Sequence, residues 1–374
     1  MRASDEPSSS NPPARPHAVG LDILRGLAAL AVVLLHTRTA AFVDFGALPD
    51  TDRGPATLAL FAVSRLGREA VLVFFALSGF LVGGGLLRRL ASRQFDPEAY
   101  ALARLSRIGL PLLPACLFTG GLALAGGAEP PSLVALSAHL VGLNGVLVPT
   151  SPWNGPLWSL AYEIWFYVGA GALATVWARR ARSGGAWLGL AATVAVFSVL
   201  APHYALIWLL GAAAALPRFE RRARLGLVGG GALGVLGTLA YELAQPSKTY
   251  AFTAPIPLEV AECLVGAGCA AALPWLAGAE AERWLGRLRR PAARLAAVSF
   301  SLYLFHYPVN RSLAGLLPER AAVTTESVGW FVVRLGICLA AGVAAYALFE
   351  QHHPRLRAWL ERRRGVQRGG ERAR

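Results

Sequence analysis

The sequence predicts an all-α, polytopic integral membrane bundle of about ten transmembrane helices, with both termini in the cytoplasm. Three observations predict it. Of 374 residues, 55% are hydrophobic and only 16% charged, with a mean hydropathy of +0.47; soluble domains are about a quarter charged. Apolar runs of helix-spanning length recur along the chain. The cations, nearly all arginine because Lys248 is the only lysine, cluster in short segments between those runs.

The runs occupy 21–42, 71–87, 102–125, 157–177, 186–201, 204–216, 225–244, 257–277, 295–317 and 328–349. The fifth and sixth are short and read as two spans or one broken hairpin. The segment 133–148 is apolar but carries Asn144 and two glycines, which suits a half-inserted or external piece. With the N-terminus inside, 28 of the 36 Lys and Arg fall on the cytoplasmic side, and 108–178 contains none. That asymmetry sets the orientation. Residues 1–18, rich in Ser, Pro and Ala, are expected to be a disordered cytoplasmic tail. Residues 19–354 form the membrane-embedded domain, and 355–374 form a basic cytoplasmic tail.

Several classes are excluded. The net charge of +14 would suggest nucleic acid on a soluble protein, but here it follows the loops. Cys116, Cys263, Cys269 and Cys338 all lie in apolar runs and form no C-x-x-C pair, so neither a disulfide framework nor a metal site is expected. Gly229 to Gly234 matches G-x-G-x-x-G, yet no strand precedes it. Small residues at Gly226, Gly230 and Gly234 read as a close helix-packing face. No G-x-S-x-G nucleophile elbow is present.

The first run, LDILRGLAALAVVLLH, carries Arg25 and His36. Eleven positions correspond to roughly 20° past three turns and a rise of about 16 Å, so both project from one face. Polar groups at membrane depth usually face a cavity or a partner. A signal-anchor, with Arg25 reaching the interface and His36 merely satisfied, is the bland alternative. A cleaved signal peptide ending at Thr39-Ala40-Ala41 is disfavoured by the charge on Arg25.

Five further stretches stand out. Ser78 sits inside VFFALSGFL, where a hydroxyl commonly serves helix packing. Arg104 and Arg107, at i and i+3, share a face at the cytoplasmic start of the third run; they suit either phosphate oxygens or an anchoring role. WSLAYEIWFY opens the fourth run from the outer side with Trp158 and Glu163. Trp158 fits an aromatic belt, whereas a carboxylate inside an apolar helix does not. SLYLFHYP puts His306 inside a run with Pro308 after it, and Phe349-Glu350 with Pro354 closes the last run.

Together these stretches, in this order, resemble the acyltransferase 3 family of multipass membrane acyltransferases, which O-acylate bacterial surface glycans and some secreted small molecules. The resemblance runs from Leu21 to Pro354. It implies that His36 is the catalytic base and Arg25 its paired cation, that Arg104 and Arg107 bind the donor, and that Glu163, at the family's acidic position, is a third catalytic residue. Ile164 departs from the pattern, where a second acidic residue often follows. Ser78, Trp158 and His306 are further site candidates. The implied donor is cytoplasmic acyl-CoA, acetyl-CoA on family grounds, with no metal. The implied acceptor is a hydroxyl of an extracytoplasmic glycan or glycosylated metabolite, expected to arrive near Glu163 and the outer aromatics. The implied location is the bacterial cytoplasmic membrane. The esterase-like domain that some relatives append is not expected here.

The chemistry suits that reading: acyl transfer to a hydroxyl needs a base, a thioester held nearby and positive charge for the oxyanion. The rival is a proton-coupled transporter using His36, Glu163 and His306 as a relay, although no matching halves are seen. A scaffold whose buried charges only pair helices is a third reading.

Overall fold

The computed structural model describes residues 18–129, 131–179, 183–244, 256–318 and 320–372. Apart from Ala18, the tail expected to be disordered lies outside them. All regular elements among the described residues are helices.

Chain order begins with α1 (Val19–Ala41), α2 (Pro55–Ser64) and α3 (Gly67–Ser78), which runs through one π-helical stretch, Gly79–Gly83, into α4 (Gly84–Ala91). Then come α5 (Pro97–Ala125), the short α6 (Leu133–Leu140), α7 (Trp158–Ala178), α8 (Gly184–Phe197) and α9 (His203–Ala214). The remainder is α10 (Pro217–Glu220), α11 (Ala223–Ala244), α12 (Leu258–Leu276), α13 (Ala279–Leu285), α14 (Arg289–Ser312), α15 (Thr325–Leu348) and α16 (His353–Arg372). Every apolar run read from the sequence falls on a helix.

Among the described residues, six helical stretches are long and apolar enough to cross a membrane: Val19–Ala41, Pro55–Ala91, Pro97–Ala125, Ala223–Tyr241, Leu258–Leu276 and Thr325–Arg364. The protein is therefore a multi-pass helical membrane protein. Helices α8 and α9, with 14 and 12 residues, rise only about 21 and 18 Å. They pack on different partners, α8 on α7 and α9 on α3 and α12. Helix α14 has the length but not the hydropathy, because it opens on Arg289 and Arg290 and buries Ser299, Ser301, His306 and Asn310.

Local chemistry sets several ends. Asp96 caps α5 by accepting from the backbone N–H groups of Glu98 and Ala99, with Pro97 at the first helical position. Thr324 and Ser327 form a reciprocal cap on α15. Pro308 lies inside α14 and has no N–H to give the carbonyl four residues earlier. That carbonyl, on Leu304, instead accepts from Asn154 Nδ2 at 3.0 Å. The loop before α7 is thereby tied to the turn of α14 that carries His306.

Helix α1 is the hub. Ala28, Ala29, Val32 and Val33 are buried where it meets α3, α14 and α15. The α11–α12 contact is the close glycine packing expected: a Cβ at Gly230 would strike the Gly268 carbonyl, and one at Gly226 the Ala271 carbonyl. A Cβ at Gly79 would likewise collide with the Trp208 carbonyl. That close approach brings Trp208 of α9 against Ser78, where the helix changes to π geometry.

Candidate active site

A cavity of about 460 Å³ lies among α1, α3, α5, α7 and α14. Arg25, Arg104 and Arg107 line it, together with Asp22, Glu163 and Ser78. The i, i+3 spacing does turn Arg104 and Arg107 toward one space. Their surroundings differ. Arg107 Nη1 lies 2.6 Å from Glu350 Oε1. Glu350, fully buried, also accepts from the Ser301 N–H at 2.9 Å and the Ser301 hydroxyl at 2.7 Å. One carboxylate thus joins α5, α14 and the turn after α15. Arg104 has a buried Nε with no hydrogen-bond partner, and its guanidinium lies 5.4 Å from the centre of the Tyr167 ring.

Glu163 lines the cavity, within electrostatic reach of Arg25, Arg104 and Arg107. Ser159 and Leu160, in the first turn of α7, line the same cavity as Glu163 about one turn later. A hydrogen-bonded chain holds the Glu163 carboxylate. Trp208 Nε1 donates to Ser78 Oγ at 3.1 Å, the Ser78 and Tyr167 hydroxyls lie 2.9 Å apart, and the Tyr167 hydroxyl donates to Glu163 Oε1 at 2.6 Å. Ser78 is therefore more than a packing hydroxyl. Ile164, at the position of the second acidic residue, lines an adjoining groove of about 350 Å³ between α5 and α7, among Ile108, Leu105 and Val168.

His36 does not line the cavity. Its Nδ1 lies 3.0 Å from Nε2 of His306, which is fully buried. The expected pairing of His36 with Arg25 is thus replaced by a pairing with His306. Arg25 and His36 do share a face of one continuous helix, but three turns separate them along its axis, so each meets a different neighbourhood. Tyr303 stands between those neighbourhoods. It lines the cavity, and its ring centre is 6.1 Å from that of His306. Its hydroxyl lies 2.7 Å from Ser159 Oγ and donates to the Pro156 carbonyl at 2.9 Å.

Trp158 belongs to neither group. Arg68 lies over its ring at 4.6 Å and pairs with Glu262 at 2.8 Å; Glu262 also meets His203 Nε2 at 2.7 Å. Tyr204 completes this network through a hydrogen bond from Arg68. Sequence reasoning missed it, although Glu262 carried the signal that exposed Glu163, a carboxylate inside an apolar run. Glu350 and Tyr303 lay in stretches already singled out, but their partners are remote in sequence.

Among the described residues, no group of three or more His, Cys, Asp and Glu side chains could hold a metal ion.

The fold and site define a multi-pass helical membrane protein with a cation-lined internal cavity and an imidazole pair in which His306 is fully buried and His36 partly so. Residues 19–350 match the family model Acyl_transf_3, an acyltransferase domain. The chain belongs to the acyltransferase 3 family and is, at that level, a membrane acyltransferase. No curated protein and no solved structure matches it.

Proposed function

We propose that the protein is an O-acyltransferase of the bacterial cytoplasmic membrane. It moves an acyl group, acetyl on family grounds, from cytoplasmic acyl-CoA to a hydroxyl of an extracytoplasmic glycan or glycosylated metabolite. The observation that carries the reading is the cavity uniting Arg25, Arg104 and Arg107, one tyrosine away from a paired imidazole. Fixed guanidinium groups suit the phosphates of coenzyme A. Arg104, with an unpartnered Nε, is the foremost phosphate ligand. Arg25 joins it on the donor side, a role reassigned from that of a cation beside His36.

In the proposed reaction the donor's charged end rests in this cavity and its thioester reaches past Tyr303. The His36 Nε2 lone pair takes the proton of the acceptor hydroxyl as that oxygen attacks the thioester carbonyl. When the tetrahedral adduct collapses, the C–S bond breaks and the departing thiolate recovers the proton from His36. The acyl group ends as an ester on the acceptor, and free coenzyme A leaves on the donor side.

The test is acyl transfer by purified His36→Gln at matched expression and thermal stability. Gln preserves polarity and reach but cannot act as a base, so the rate should fall about 10²- to 10⁴-fold. Activity within a few-fold of wild type would overturn the assignment. Mass spectrometry of surface glycans from cells with and without the gene identifies the acceptor.

A further inference from the structure

We infer that His306 is a positioning residue that fixes which nitrogen of His36 carries the proton. The inference rests on His36 being the base, and the argument is one of donors and acceptors. His306 Nδ1 lies 2.9 Å from the Leu302 carbonyl oxygen. A carbonyl only accepts, so that nitrogen carries the hydrogen. A neutral imidazole has a single N–H, so His306 Nε2 is left with its lone pair. Across 3.0 Å it faces His36 Nδ1, which must therefore donate. His36 Nε2 is then the nitrogen without a proton, ready to take one.

Two features hold this order in place. The first is burial without counter-charge. His306 is fully buried, and its neighbours are the rings of His36, Tyr303 and Tyr307, with the Cys338 thiol on its carbonyl. No carboxylate is hydrogen-bonded to either imidazole among the described residues. An imidazolium here would lack compensation, so the neutral pair with one fixed proton order is the economical state.

The second feature is a frame fixing both backbones. Asn310, one turn beyond His306, donates from Nδ2 to the His36 carbonyl at 3.0 Å. Its amide cannot flip without loss, because buried Arg334 donates to Asn310 Oδ1 at 3.1 Å and to the Asn310 carbonyl at 3.0 Å. Helices α14 and α15 therefore pin the α1 turn that carries His36. In hydrolytic triads a carboxylate orients the catalytic imidazole in the same way, and the wrong tautomer costs about 10⁴ in rate. Here the orienting group is a second histidine, itself oriented by a main-chain carbonyl.

The test combines a spectrum with two variants, all on the full chain. Solid-state NMR of ¹⁵N-histidine-labelled protein in bilayers should show His36 protonated at Nδ1, assigned by the signal lost in His36→Gln. Substitution His306→Gln offers an amide oxygen near the position of Nε2 and should keep turnover within a few-fold of wild type. His306→Leu removes the acceptor and should lower kcat about 10- to 100-fold, leaving KM for acetyl-CoA unchanged because His306 does not line the donor cavity. A wild-type His36 protonated at Nε2, or wild-type kcat in folded His306→Leu, would overturn the inference. If His306→Leu does not fold, the wild-type spectrum alone decides. An active His36→Gln enzyme would overturn His36 as the base instead, and the NMR result would still decide the tautomer.

Discussion

Replacing Glu350 with alanine should destabilise the protein by about 3 kcal/mol, and the structure gives the reason. The carboxylate is fully buried and accepts from Arg107, from the Ser301 N–H and from the Ser301 hydroxyl. Alanine strands the Arg107 guanidinium and orphans the Ser301 donors. Breaking a buried ion pair from one side costs about 3–5 kcal/mol. Arg107 keeps 29% of its side chain exposed to the cavity, which allows some solvation and points to the lower end. Ser301 adds little, because its N–H lies inside α14 and can turn back to the helical carbonyl four residues earlier. The assay is unfolding in detergent followed by tryptophan fluorescence, with a double-mutant cycle through Arg107→Met. The double variant should recover at least about 1.5 kcal/mol of the loss, since no stranded charge remains. Wild-type stability in Glu350→Ala, or losses that add to within about 0.5 kcal/mol, would refute the claim that this pair ties α5 to α14 and α15.

Two further outcomes are expected. Arg104→Lys preserves charge but loses the guanidinium fork, so coenzyme A affinity measured by calorimetry should fall about one to two decades, equivalent to roughly 1.5–3 kcal/mol; wild-type affinity would leave Arg104 an anchor only. Ser132→Cys in a cysteine-free background should react with an impermeant thiol reagent added outside intact cells, since 126–155 is expected to be an external loop; reaction only after permeabilisation would reverse the orientation and with it the donor-side assignment.

How the sequence fared depends on the distance over which each signal acts. Helices were legible because apolar runs and arginine-rich breaks are local properties, and the glycines of α11 were legible because their four-residue repeat marks one face. His36 and His306 were each visible as imidazoles inside apolar runs. Their meeting was not, because they are 270 positions apart and pairing depends on how α14 rotates against α1. The shared face of Arg25 and His36 was a correct use of helical period, yet it led to a wrong pairing, because about 16 Å of rise outweighs 20° of azimuth. Glu163 was visible as a carboxylate inside an apolar helix, but its company was not, because Arg25, Arg104 and Arg107 reach the same cavity from two other helices. Arg68 carried no local signal, because its partners Glu262 and Tyr204 come from two helices distant in sequence.

Tyr303 ties these features to chemistry. A donor site that must admit a highly charged cofactor has to be wet, and a base in an acyl-transfer site works best away from bulk water. The two demands conflict if one cavity serves both. Here the cations and carboxylates lie on one side of a buried aromatic ring and the imidazole pair on the other. The ring is held by Ser159 and the Pro156 carbonyl, both from the segment that opens α7, while the adjoining Asn154 supports the Leu304 carbonyl left free by Pro308. The proline, the asparagine and the tyrosine thus form one device that fixes the barrier beside the histidines. In the proposed reaction only the slender end of the donor crosses that barrier, and the phosphates stay with the arginines. In that reaction the ring of Tyr303 separates the water around the phosphates from the imidazole pair, which limits wasteful thioester hydrolysis.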